Sequence, residues 1–186
     1  MKRWSSSTFL VIGLVIIAAL IRIARNSGWL PLPPNVAPIT AMALLSGALL
    51  PRRWTFVVPL SAMLVSDLVI GFYSLPVMLV VYGAFAVSNV IGLWLRKRQS
   101  LGRIFGASLL GSTVFFVLTN TAVWAFQAMY PHSVSGLIQA FVAGLPFFRN
   151  TVIGDLGFSA IFFGVYALGM VYWQRRLTLL TSSTHG

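Results

Sequence analysis

Asp67 and Asp155 are the only acidic residues in a chain of 186 that carries 13 Lys and Arg. Both stand inside long apolar stretches. An ionised carboxylate there costs at least a few kcal/mol, and it normally faces a bundle interior, a partner charge or a wet cavity. Arg149 stands six residues before Asp155 in "PFFRNTVIGDLGF" (146–158). Residues six apart on one helix point to different faces. Arg149 is therefore expected to reach back to Asp155, to pair with Asp67 across helices, or to meet a ligand. Tyr82, Asn120, His132 and Asn35 add a phenol, two amides and an imidazole, and Phe72 and Tyr73 add aromatic surface. These groups suit recognition by hydrogen bonding, ion pairing and stacking.

Other chemistries find less support. The chain has no cysteine, so disulfides, thiolate metal sites and Cys nucleophiles are excluded. His132 and His185 stand alone, without metal-ligand spacing. His132 is a weak candidate as a ligand to a metal or metallo-cofactor such as cobalt. No Gly-rich loop precedes a Lys, so no phosphate-binding loop of an ATPase is present, and "SVSG" is not a nucleophile elbow. A paired-carboxylate enzyme built on Asp67 and Asp155 is conceivable, but no enzyme is expected.

The elements that position these groups are apolar spans. The chain is 58% hydrophobic and 8% charged, with mean hydropathy +0.90, whereas a soluble domain has about 25% charged residues. An all-α, polytopic membrane protein is expected, a single transmembrane domain over 1–186. Six helices are predicted over about 8–24, 38–50, 54–72, 77–95, 103–129 and 151–173. The first run lacks a small-residue cleavage site and ends at Arg22 and Arg25, so it reads as a retained helix. The segment 134–145 is apolar but too short to span, and reads as an interfacial or re-entrant piece. Prolines keep "NSGWLPLPPNVAP" (26–38) out of regular helix.

Six spans put both termini on one side. That side then holds Lys2, Arg3, Arg52, Arg53, Arg96, Lys97, Arg98, Arg103, Arg175 and Arg176, and the other holds only Arg22, Arg25 and Arg149. The positive-inside rule makes the richer side cytoplasmic, in a bacterial inner membrane. If the short second segment does not cross, the split is again ten to three, with only the N-terminal end inverted. The same clustering explains the net charge of +11 without nucleic acid, which is not expected as a partner. Counting rises of about 1.5 Å per residue, Asp67, Tyr82, Asn120 and Asp155 all fall in the outer half. An outward-opening polar cavity accounts for them together. Small residues four apart, as in Ala43/Gly47 and Ala84/Ser88/Gly92, let helix backbones approach closely.

The stretches "PPNVAPITAMALLSGALLPRRWTFVVPLSAMLVSDLVIGFYS", "VYGAF", "LTNTAVW", "MYPHSVSGL" and "PFFRNTVIGDLGFSAIFFG" resemble a bacterial family of small membrane proteins. That family is related to the substrate-binding S-components of energy-coupling-factor (ECF) vitamin transporters. Within it the solitary vitamin B12 (BtuM-like) group is the nearest. The resemblance covers roughly residues 30–165. It implies a six-helix bundle with cytoplasmic termini and an outward-opening pocket capped by loops. It implies capture of a vitamin-sized ligand, with cobalamin or another corrinoid leading, and a different small vitamin or a nucleobase-like precursor as the alternative. Pocket positions carry over to Asp67, Tyr82 and Arg149, with Phe72 and Tyr73 as walls. Arg149 would meet an acidic or amide group of the ligand, and Asp155 would hold Arg149 or the helix end. Partners would be the bilayer and either an ECF coupling subunit with its ATPases or none. Where cobalamin-binding relatives place a cysteine near the fourth helix, "GFYSLPVM" has Ser74 and Met78. The Ala-x-x-x-Ala docking spacing is missing from the first helix. A membrane scaffold without a small ligand is the competing reading.

Overall fold

The computed structural model describes residues 6–182, with side chains from 7 to 175. Lys2, Arg3, His185 and the side chain of Arg176 lie outside the described residues. Six helices follow one another: α1 (Ser6–Asn26), α2 (Ile39–Leu49), α3 (Val57–Ile70), α4 (Leu75–Leu95), α5 (Leu101–Phe126) and α6 (Val134–Ser182). No strand occurs among the described residues. The protein is all-α, as its hydropathy pattern predicts. α1, α4, α5 and α6 are each long and apolar enough to cross a membrane. Large apolar side chains such as Leu79, Leu101 and Leu168 stand outward on them, as a lipid-facing surface requires.

The shortest helix is the centre of the bundle. α2 is apolar all round, and Thr40 through Ala48 are all buried, because a helix without a polar face has no stable place except inside. It packs against each of the other five helices. With 11 residues it is about 16 Å long, roughly half a hydrocarbon core. It is regular throughout, with no unwinding. Its closest neighbour is α4. A Cβ on Gly92 would lie 2.5 Å from the Leu44 carbonyl oxygen, and one on Gly47 would lie 2.8 Å from the Gly92 Cα. The small-residue spacing of "AMALLSGAL" and "AFAVSNVIG" is thus used within the chain, at one crossing. Gly102, Gly106 and Gly164 have nothing within 4 Å of the added carbon, so the same spacing there is not used for packing in this chain.

The bounds of three helices, α3, α5 and α6, depart most from the sequence expectation. α3 begins at Val57 rather than at 54, because Trp54 and Thr55 close a turn with Trp54 N–H on the Pro51 carbonyl at 2.8 Å. It ends at Ile70, before Gly71, whose φ of 103° only glycine adopts readily. α5 stops at Phe126, where Gln127 turns extended. The largest correction is α6. The expected interfacial piece 134–145 and the helix 151–173 are one helix of 49 residues, with Pro146 inside it. Proline removes the bond to the Val142 carbonyl and disfavours helix there. Contacts on both sides of it hold the helix to α5: Phe141 and Phe148 flank Phe116 with ring centroids 5.6 and 4.6 Å away. Tertiary packing here outweighs a local breaker.

Contacts fix the helix directions. Ser112 and Ser108 of α5 meet Asp155 and Ser159 of α6, so these helices are antiparallel. Arg22 near the end of α1 meets Asp67 near the end of α3, so those two run parallel. The ends of α1, α3 and α5 thus lie with the starts of α2, α4 and α6. We call this the upper end.

Candidate functional site

Two polar assemblies occupy the upper end. The first is built on Asp67, fully buried near the end of α3. Arg22 of α1 donates from Nη2 to Asp67 Oδ1 at 2.5 Å and from Nη1 to the Ser66 hydroxyl. Tyr82 of α4 donates its phenol to Asp67 Oδ2 at 2.7 Å. One carboxylate thereby ties three helices. Desolvation of such a carboxylate is offset only by charge-assisted bonds of this kind. Phe72 and Tyr73 lie in the α3–α4 linker; Phe72 is exposed, whereas Tyr73 keeps 38% of its surface exposed and the rest covered. The Tyr73 phenol is pushed up to about 12, first by burial and then by the Asp67 charge.

The second assembly is a cavity of about 170 Å³ between α1, α2, α5 and α6. Arg22, Arg25, Asn35, Thr40, Phe115 and Asp155 are among its lining residues. Asp155 is buried. It accepts from Ser112 Oγ at 2.6 Å, and from both the hydroxyl and the backbone N–H of Thr40. Thr40 is in the first turn of α2, where backbone N–H groups lack helical partners. The residue before the helix is Pro38, which makes no side-chain cap. Asp155 therefore caps α2 from another helix and meets the positive end of its dipole. At the opposite end of α2, Arg96 of α4 donates from Nε to the Gly47 carbonyl at 2.7 Å and from Nη2 to the Leu50 carbonyl at 2.5 Å. The central helix is held at both ends by charges of the sign its dipole favours.

A further cavity of about 280 Å³ adjoins the first, sharing Asn35, Phe115 and Thr151 and adding Asn120 and Phe148. The proline-rich linker lies beside both. Asn150 Nδ2 donates to the Pro34 carbonyl at 3.0 Å. Asn35 takes φ 63°, a left-handed conformation that asparagine tolerates better than most residues.

The expected site residues thus divide. Asp67, Tyr82 and Tyr73 gather at the α1–α3–α4 knot. Asn35 and Asp155 line the first cavity, and Asn35 and Asn120 line the second. Arg149 is exposed and has no hydrogen bond or ion pair among the described residues. It meets neither Asp155 nor Asp67, because Arg22 takes Asp67 and α2 takes Asp155. His132 is exposed, with its ring 6.0 Å from that of Trp124. No group of three His, Cys, Asp or Glu residues that could hold a metal occurs among the described residues.

Sequence reasoning missed Arg22 and Arg25, which it counted only as loop charges. Their spacing of three within an apolar helix places them on one face, and that was the available signal. Arg25 has a buried Nε without a hydrogen-bond partner. The first cavity therefore combines an unpaired cation, a paired one, a capped carboxylate and apolar walls. This arrangement can bind an organic anion.

Searches of curated proteins and of solved structures find no match to this chain. Residues 2–178 match DUF6580, described as a family of unknown function, and the chain belongs to that family.

Proposed function

We propose that this chain is a multi-pass protein of the bacterial inner membrane that takes a vitamin-sized organic anion from the outer side for uptake. In this reading six helices cross or enter the bilayer, both termini are cytoplasmic, and the upper end faces outward. The bias of basic residues toward the lower end supports that orientation, and so does the resemblance to S-component-like transporters. The observation that carries the binding reading is Arg25: a guanidinium lining a partly open cavity, with a buried nitrogen that no described residue satisfies. Nearly all buried polar groups have partners, and of the orphaned buried atoms Arg25 Nε belongs to a cation that lines the cavity, where a ligand anion would satisfy it.

The two adjoining cavities, about 170 and 280 Å³, reach only when joined the lower part of the range for small-ligand sites, about 300–1,000 Å³. A whole corrin macrocycle does not fit inside them. Cobalamin, the ligand that the resemblance ranks first, would enter only by a side chain. Whether the chain works alone or with an ECF coupling subunit is read from what co-purifies with it.

The test is mass spectrometry of small molecules retained by the purified protein, followed by titration of the retained compound against wild type and Arg25→Gln. Loss of one charge-assisted bond predicts weakening by about tenfold to a hundredfold, with an unchanged fold. Cobalamin and other carboxylate-bearing vitamins are separate arms. A scaffold role is the second reading, favoured because both aspartates already have structural partners. If no compound is retained, and Arg25→Gln binds every arm as wild type does, the scaffold reading replaces the first.

A further inference from the structure

A crevice of about 430 Å³ runs between α1 and α3 on the outside of the bundle. Its walls are apolar: Val15, Ala19 and Ile23 on α1 face Val58, Ala62 and Val65 on α3. α3 is poorly covered here, for only Pro59, Met63, Ser66 and Asp67 of its residues are buried. It is tied down at its upper end by the Asp67 knot. At its lower end Thr55 receives Arg96 Nη2 at 2.7 Å. Between those ties the helices stand slightly apart.

The lower end of the crevice is closed by Trp54, and the Arg53 guanidinium lies 5.8 Å from the centre of that ring. Arg52 and Arg53 are both exposed. Among the described residues no carboxylate is near them. Asp67 is thirteen residues up α3 from Trp54, about 20 Å away, and is paired with Arg22. Asp155 is held between α2 and α5. Burial, and after it the Arg52 charge, pull the Arg96 guanidinium below its ordinary value, so Arg52 and Arg96 are close enough to repel, with no anion beside them among the described residues.

We infer that the α1–α3 crevice binds one anionic phospholipid, with an acyl chain between the helices and the phosphate on Arg52 and Arg53. The crevice runs about 16 Å from Trp54 to Val65, and charge selects its occupant: an apolar channel that ends at two exposed arginines fits an acyl chain joined to an anionic headgroup. The chemistry is ordered as in a lipid, with an apolar crevice, an interfacial Trp and then free cations. The site is distinct from the cavities at the upper end and does not depend on what they bind.

The experiment is native mass spectrometry of the detergent-solubilised full chain with added phosphatidylglycerol or phosphatidylcholine of identical acyl chains. The expected result is one retained phosphatidylglycerol per protein, favoured about thirtyfold over phosphatidylcholine, as two arginines near a lipid surface predict. Arg52→Gln with Arg53→Gln should abolish the preference while circular dichroism and gel-filtration profiles stay unchanged. Ala62→Phe, which fills the crevice, should reduce retention of both lipids. Lys97→Gln with Arg98→Gln should change nothing. The inference is overturned by equal retention of the two lipids, by an undiminished preference in the Arg52/Arg53 variant, or by an equal loss in the Lys97/Arg98 variant. A co-purifying polypeptide that excludes the lipid overturns it as well.

Discussion

Removing Arg22 should be among the most damaging single changes at the upper end, and removing Arg149 among the least. Asp67 has no exposed surface, and the Arg22 side chain is 14% exposed. With Arg22→Ala, the Asp67 carboxylate keeps only the Tyr82 phenol, and Ser66 loses its cationic donor. Breaking a buried pair from one side costs about 3–5 kcal/mol. The surviving Tyr82 bond puts the expected value near 3 kcal/mol, roughly 150-fold in the folding equilibrium. Arg149→Ala removes an exposed side chain without a polar partner and should stay within about 0.5 kcal/mol. Replacing both members, Arg22→Met with Asp67→Leu, leaves no stranded charge. It should cost only about 1 kcal/mol, for the orphaned Tyr82 hydroxyl. Reversible unfolding in mixed micelles of dodecylmaltoside and dodecyl sulfate measures all three. The reasoning fails if Arg22→Ala costs less than about 1 kcal/mol, or if Arg149→Ala matches it.

Two further outcomes follow from packing and protonation. Gly92→Ala should cost about 1–3 kcal/mol in the same assay, because its new carbon meets the Leu44 backbone oxygen at 2.5 Å. Gly106→Ala, with nothing within 4 Å, should be neutral or slightly stabilising. The Tyr73 phenol is raised from 10.0 to about 12 in the folded protein. The unfolded chain therefore loses this proton first, and stability should be insensitive to it below pH 10 and fall as pH rises from 10 toward 12. Tyr73→Phe should flatten that alkaline decline, and an unchanged decline contradicts the placement of Tyr73 beside Asp67.

Hydropathy and charge placement were legible from the sequence alone. They determined that the protein is all-α, where α1, α4 and α5 run to within a few residues, and that the two carboxylates in apolar stretches collect toward one end. Residue type was sufficient for this, because burying a backbone in lipid leaves little choice but helix and an unpartnered charge there is costly. The spacing of small residues also marked the α2–α4 crossing, where two glycine backbones touch.

Pairing was decided by the tertiary structure. Nothing local distinguishes Arg149 from Arg22 as the partner of an aspartate. The difference lies in which helix faces turn inward, and contacts between distant segments set that. The short second helix read as marginal because its length was judged against a bilayer. In the fold it is the core, capped by Asp155 from 115 positions beyond Thr40 and by Arg96 from 49 beyond Gly47. The segment 134–145 read as a separate piece because it is too short to span, yet one helix continues from it through Pro146, with aromatic contacts on either side holding it to α5. Composition thus determined what the chain must bury, and the tertiary structure decided which partner each buried charge receives, since a carboxylate inside a bundle is stabilised only by donors placed within a few ångströms of it.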